Sequence, residues 1–109
     1  MERMGQVIRL NADIIADYKR IHAAVWPAVL AAISQANIRN YSIFLKEPEN
    51  LLFAYWEYHG NDFAADMAGM KDIPEMQEWW KITDPMQIPF ENRKPGEWWA
   101  RLENVFHTD

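Results

Sequence analysis

Tyr18 and His22 stand four residues apart in a stretch whose apolar residues recur at helical spacing, which places both rings on one side of a helix, a turn apart. An imidazole has both protonation states available near neutrality, so such a ring can take a proton from a bound molecule and return it elsewhere. The same spacing also describes a core histidine hydrogen-bonded to a core tyrosine. Trp79 and Trp80 weigh toward chemistry, because two successive indoles on a short helix cannot both point straight into a small core. Indole faces against the axial C–H groups of a pyranose are a common way to hold a neutral sugar. Tyr41, on a strand, offers a further phenolic donor. The competing arrangement, one tryptophan in the core and the other at a subunit interface, uses the same residues.

Other reaction types lack residues to carry them. Gly5, Gly60, Gly69 and Gly96 are isolated, so there is no phosphate-binding loop. His22, His59 and His107 have no metal-ligand spacing, and neither a metal nor a cofactor is expected. Ser34 and Ser42 lie outside any nucleophile-elbow context. Without cysteine the chain has no disulfide, no thiolate nucleophile and no cysteine-ligated zinc. Asp13 and Asp17, Asp62 and Asp66, and Glu47 and Glu49 read as helix-dipole compensation and solvated charge. A net charge of -5 repels phosphate backbones and anionic lipid heads, so no nucleic acid and no membrane partner is expected. No apolar run approaches the ~20 residues of a membrane-spanning helix. The first residues run directly into a strand-like segment without the features of an export signal, and the expected location is cytoplasmic.

These side chains must be positioned by a single domain over 1–109, since domains commonly run ~100 to 150 residues. Met4 to Leu10 alternates as a strand. Asn11 follows as a helix N-cap, and Ile14, Tyr18, His22, Val25, Val29 and Ile33 form one stripe. Pro27 interrupts it, predicting a kink or a second helix that starts there. Ile38 to Leu45 is a strand with Tyr41, Ile43 and Leu45 on one face. Lys46 to Asn50 is a turn, and Leu51 to Tyr58 is the returning strand. The next helix has Phe63, Met67 and Met70 toward the core and Asp62, Asp66 and Lys71 toward solvent. Ile73 and Pro74 open a further short helix with Met76, Trp79, Trp80 and Thr83. Asp84 to Glu97 is predicted to be a loop and Trp98 to His107 a last strand. This order is the α+β, ferredoxin-like β-α-β-β-α-β arrangement, an antiparallel sheet with helices on one face. Six Trp, four Tyr and five Phe are a heavy load for so small a core. The uncovered face carries either Leu52, Trp56 and Tyr58 or Phe53 and Tyr55, too apolar for water, which predicts a homodimer packed face to face as a dimeric α/β barrel.

The segments Tyr18-Lys-Arg-Ile-His22, Ala23-Ala-Val-Trp26-Pro27, Asn40-Tyr41-Ser-Ile, Asn50-Leu-Leu-Phe-Ala54, Trp79-Trp80-Lys-Ile-Thr-Asp84 and Glu103-Asn-Val-Phe-His107 resemble, in this order and at closely similar spacing, segments of the L-rhamnose mutarotase family. The resemblance spans nearly the whole chain. It implies a dimeric ferredoxin-like fold, no cofactor, catalysis by His22 and contacts to a monosaccharide from Tyr18, Tyr41, Trp79 and Trp80. It also implies an isomerase that interconverts the α and β anomers of a 6-deoxyhexose, L-rhamnose or the related L-fucose. Two places differ: Ala28 follows the Trp-Pro pair where a glutamate is common, and Pro95-Gly-Glu-Trp98-Trp99 sits in a longer loop. Beside this stand two other readings. One is a dimeric α/β-barrel monooxygenase or heme-handling protein, and the other a non-enzymatic sugar-binding dimer.

Overall fold

The computed structural model describes residues 1–109. The sheet is built around β1 (Glu2–Leu10), whose Met4, Ile8 and Leu10 are buried on one face. On one side it pairs with β3 (Leu51–Tyr58), which in turn pairs with β2 (Ile38–Lys46). On the other it pairs with two short strands, β4 (Gln87–Ile88) and β5 (Ala100–Leu102). The order is β2-β3-β1-β4, with β5 also on β1, and every pairing is antiparallel. One face of this sheet is covered by α1 (Ile15–His22), α2 (Pro27–Gln35), α3 (Phe63–Lys71) and α4 (Pro74–Thr83).

The predicted long stripe is divided as Pro27 requires. Asn11 caps a 3-10 turn over Ala12–Ile14 by accepting the Asp13 N–H at 3.0 Å. Pro27 has no N–H to continue α1 and disfavours helical backbone at the residue before it. α1 therefore ends at His22, Trp26 is extended (φ -59, ψ 136), and Pro27 opens α2.

The fourth strand departs from expectation. Gln87–Ile88 adds to the C-terminal half of β1 from within the predicted 84–97 loop, and the expected Trp98–His107 strand contracts to Ala100–Leu102 beside Gly5–Val7. The strand stops at Leu102, opposite Gly5, although β1 runs on to Glu2; beyond it Val105 and Phe106 are 86% and 78% exposed. Arg9 holds the start of the intervening segment, donating to the Pro89 carbonyl at 3.2 Å with its guanidinium over the Phe90 ring.

Between Arg39 and Ser42 the β2–β3 register shifts. Asn40 takes a left-handed conformation (φ 53), which its short polar side chain tolerates, and its amide donates to Glu57 at 2.9 Å. The extra residue re-phases the strand, so that Tyr41, Ile43 and Leu45 share a face with Ile38. Tyr41 then lies near parallel to Trp56, ring centroids 6.3 Å apart.

Of the two alternatives for the uncovered face, the structure selects Phe53 and Tyr55. Leu52, Ala54, Trp56 and Tyr58 are buried under the helices. Phe44, Phe53, Val7 and Ala100 are register partners in one row across the outer face. Beside that row, the Glu57 carboxylate accepts from His59, Tyr55 and Asn40, which hold its pKa down to about 2.

Asp66, expected on the solvated side of α3, instead turns inward. The Tyr58 hydroxyl donates to its Oδ2, and Asn37 Nδ2 donates to the same oxygen at 3.0 Å. These bonds, that of Tyr58 first, hold the carboxyl below its ordinary range. The Asp62 N–H donates to the Tyr58 oxygen at 3.0 Å. Gly60 passes so close that a Cβ there would run into the Tyr58 hydroxyl and the Asp66 carboxylate. Met67 and Met70 pack against the core as predicted, whereas Phe63 is 38% exposed and stacks on Trp56.

Candidate active site

Between the helices and the sheet lies a cavity of about 870 Å³, within the ~300 to 1,000 Å³ of small-ligand sites. Tyr18, His22, Tyr41, Trp79 and Trp80 all line it. A smaller recess of about 310 Å³ adjoins it between α1 and β2, sharing Tyr18, His22 and Ile43.

His22 occupies the last turn of α1 because Pro27 stops the helix just beyond it. Its Nδ1 lies 2.8 Å from the Tyr18 carbonyl oxygen. A carbonyl only accepts, so Nδ1 carries the hydrogen, and in the neutral ring Nε2 is left with its lone pair. Nε2 has no protein partner. Tyr18 stacks on one side of the ring (centroids 4.1 Å, 27° between planes), and Trp79 meets it edge-on (5.3 Å, 71°). These contacts fix the imidazole plane, and the burial that they bring lowers its pKa; the bond to the Tyr18 carbonyl opposes this less strongly. At neutral pH the ring is a base.

Tyr18 is buried, and desolvation raises its phenol. Its oxygen accepts from the Gln87 amide at 3.4 Å, and Gln87 Oε1 in turn accepts from the Trp98 indole at 2.8 Å. Desolvation also raises the Tyr41 phenol, with the nearby Tyr18 phenol contributing. Trp79, only 7% exposed, is a wall between His22 and Trp26 more than an open platform, and Trp80 is half-buried beside it.

Sequence reasoning missed Gln87 and Trp98. Gln87 lies 69 residues from Tyr18 and inside a stretch read as loop. Nor did any pattern mark Gln6, whose Oε1 accepts from Trp56 at 3.2 Å, or Asp84, whose carboxyl desolvation raises at the cavity wall. Adjacent Trp98 and Trp99 were the one available signal for that wall.

The arrangement is a histidine base with a free Nε2, two phenols nearby and apolar side chains around them. No cluster of His, Cys, Asp and Glu able to hold a metal ion occurs, and no helix is long and apolar enough to cross a membrane.

Comparison with known proteins agrees over the full length. The family model for L-rhamnose mutarotase matches residues 3–108. L-rhamnose mutarotases of Lactiplantibacillus plantarum and Bacillus subtilis are 34% and 33% identical, the first over all of both chains and the second likewise. A crystal structure of L-rhamnose mutarotase FA22100 from Formosa agariphila superposes with a TM-score of 0.78 at 26% identity, covering 100% of each chain. With a lone titratable imidazole at the centre of a matching fold, the chain belongs to the L-rhamnose mutarotase family, a family of isomerases.

Proposed function

We propose that this chain interconverts the α and β anomers of L-rhamnose, with His22 as acid and base in turn. The observation that carries the reading is that His22 lines a sugar-sized space with its Nε2 free while Nδ1 is committed to the helix backbone. Nε2 takes the proton of the anomeric hydroxyl. The electron pair released forms the C1 carbonyl as the bond from C1 to the ring oxygen breaks. The ring oxygen takes up a proton, with His22 or Tyr18 as its source, and C1 turns about the C1–C2 bond. Closure on the other face reverses each transfer. Only protons are exchanged, and a general acid/base contribution of ~10² to 10⁴ suffices for a reaction that water already performs slowly.

The C6 methyl of a 6-deoxyhexose suits walls made by residues such as Met4, Val29 and Met76. L-fucose shares that methyl and differs from L-rhamnose in configuration at C2 and C4, so it separates recognition of the methyl from recognition of the hydroxyls. The working form is proposed to be a homodimer closed through the outer sheet face, where Phe44 is 65% and Phe53 38% exposed. It works in the cytoplasm, where a chain without cysteine loses nothing to a reducing environment.

The test is NMR saturation transfer between anomeric protons, with L-rhamnose, L-fucose and glucose compared with and without protein. Faster exchange for L-rhamnose supports the reading. Equal enhancement of glucose, or none for any sugar, removes it.

A further inference from the structure

We infer that Gln87 is a positioning residue that turns the Tyr18 hydroxyl into a hydrogen-bond donor toward the sugar, and that Trp98 sets the orientation in which Gln87 does so. The inference rests on the mutarotase reading of the cavity and follows from donor and acceptor inventories alone. An indole N–H only donates, so the Trp98 Nε1 at 2.8 Å requires the oxygen of the Gln87 amide on its side. The amide nitrogen is thereby directed to Tyr18, 3.4 Å from its hydroxyl. That nitrogen also only donates, so the phenolic oxygen must accept there. Its own proton then points away from Gln87, and Gln87 is the only protein group bonded to this hydroxyl. The direction left to it is the cavity, which Tyr18, Gln87 and Trp98 all line.

Gln87 is 8% exposed on β4, the two-residue strand fixed to Leu10 and Arg9, so its backbone is held by the sheet. Trp98 belongs to the segment that leaves β4 and returns as β5. A residue of that segment thus decides the donor sense of a phenol on α1.

The inference is tested with Gln87→Glu, Gln87→Met, Trp98→Phe, Tyr18→Phe and the pair Tyr18→Phe/Gln87→Glu, reading anomer exchange of L-rhamnose by NMR and separating kcat from KM. A carboxylate of the same shape still accepts from Trp98 and now accepts from Tyr18 too, pulling the hydroxyl proton out of the cavity. Gln87→Glu is expected to lose about tenfold in kcat/KM, as Tyr18→Phe does, with the same division between kcat and KM. The double variant is expected to lose no more than Tyr18→Phe alone. Gln87→Met and Trp98→Phe, which free the hydroxyl or the amide to rotate without reversing it, are expected to lose only about threefold. Multiplying losses in the double variant, or a Gln87→Met loss larger than that of Gln87→Glu, would show a packing role and overturn the inference alone. Wild-type protein that exchanges no anomers overturns the mutarotase reading and this inference with it.

Discussion

Tyr18 and Tyr58 lie under the same helical layer, each 5% exposed, and their hydroxyls are used in opposite ways. Tyr58 is saturated: it donates to Asp66, accepts the Asp62 N–H, and the carboxylate it binds is also held by Asn37. Tyr18 accepts from Gln87 and gives its proton to no protein group. Burial is the same and completion is not. A buried group whose bonds are closed ties elements of the fold together, whereas one left open at a cavity wall can only be completed by what enters.

Substituting residues on the two sides should sort activity from stability. The largest effect belongs to His22, beside the open tyrosine. His22→Asn keeps a hydrogen-bonding amide but cannot titrate, and is expected to reduce anomer exchange ~10²- to 10⁴-fold while circular dichroism and sugar affinity stay near wild type. Exchange at the wild-type rate would make His22 a core residue. Next comes the matched pair of tyrosines. Tyr18→Phe should lose roughly tenfold in exchange with little change in melting temperature. Tyr58→Phe should leave exchange unchanged and lower the melting temperature by roughly 5 to 10 °C, because the Asp62 N–H and Asp66 each lose a partner. If both variants affected activity alike, the distinction between closed and open hydroxyls would fail.

Gly60→Ala sharpens the same contrast with a methyl group. It pushes Tyr58 and Asp66 apart and is expected to cost a few °C of melting temperature, about 3 to 8, without slowing exchange.

The smallest effects are in pH. Burial lowers the His22 pKa, so its charged form gains ground only below the usual ~6.5. A profile of kcat/KM should therefore hold through neutrality and fall on an acid limb centred below ~6.5. Glu57, held down to about 2, contributes stability that is full above its unfolded pKa near ~4.3 and is lost as pH falls toward about 2. Glu57→Gln should flatten that part of a stability curve and leave the activity limb in place. Coincident limbs in the wild type would join two regions that the structure keeps apart.

The parts of the fold and site written in local pattern were legible in the sequence. A four-residue interval placed Tyr18 and His22 together, Pro27 divided the helix, and alternation gave β1, β2 and β3 with Tyr41, Ile43 and Leu45 on one face, though not which face was covered. What stayed hidden depends on partners far along the chain. Gln87 gets its role from Tyr18 and Trp98, and a lone glutamine has no periodicity to betray that. Asp66 looked solvated because helical spacing says nothing of Tyr58, which arrives from a strand. The edge strand was misjudged because Trp98 to His107 has strand-like alternation, and alternation does not show that only Ala100–Leu102 pair with β1 while Gln87–Ile88 takes the place beside Arg9 and Leu10.

The division of the edge strand has a consequence for how this scaffold tolerates change. β4 grips β1 at Arg9 and Leu10 and β5 grips it again at Gly5 to Val7, so residues 89–99 leave one strand and come back to that same strand. Lengthening a flexible segment adds only ~0.6 kcal/mol per doubling, and with both ends anchored no insertion there shifts the pairing of the sheet. Trp98 and Trp99, which wall the cavity, ride on this excursion, whereas His22 and Tyr18 ride on α1. Length and composition can thus drift at one place in the chain while the sheet and α1 keep their geometry, as long as Trp98 still donates to Gln87 and so to the pair formed with Tyr18.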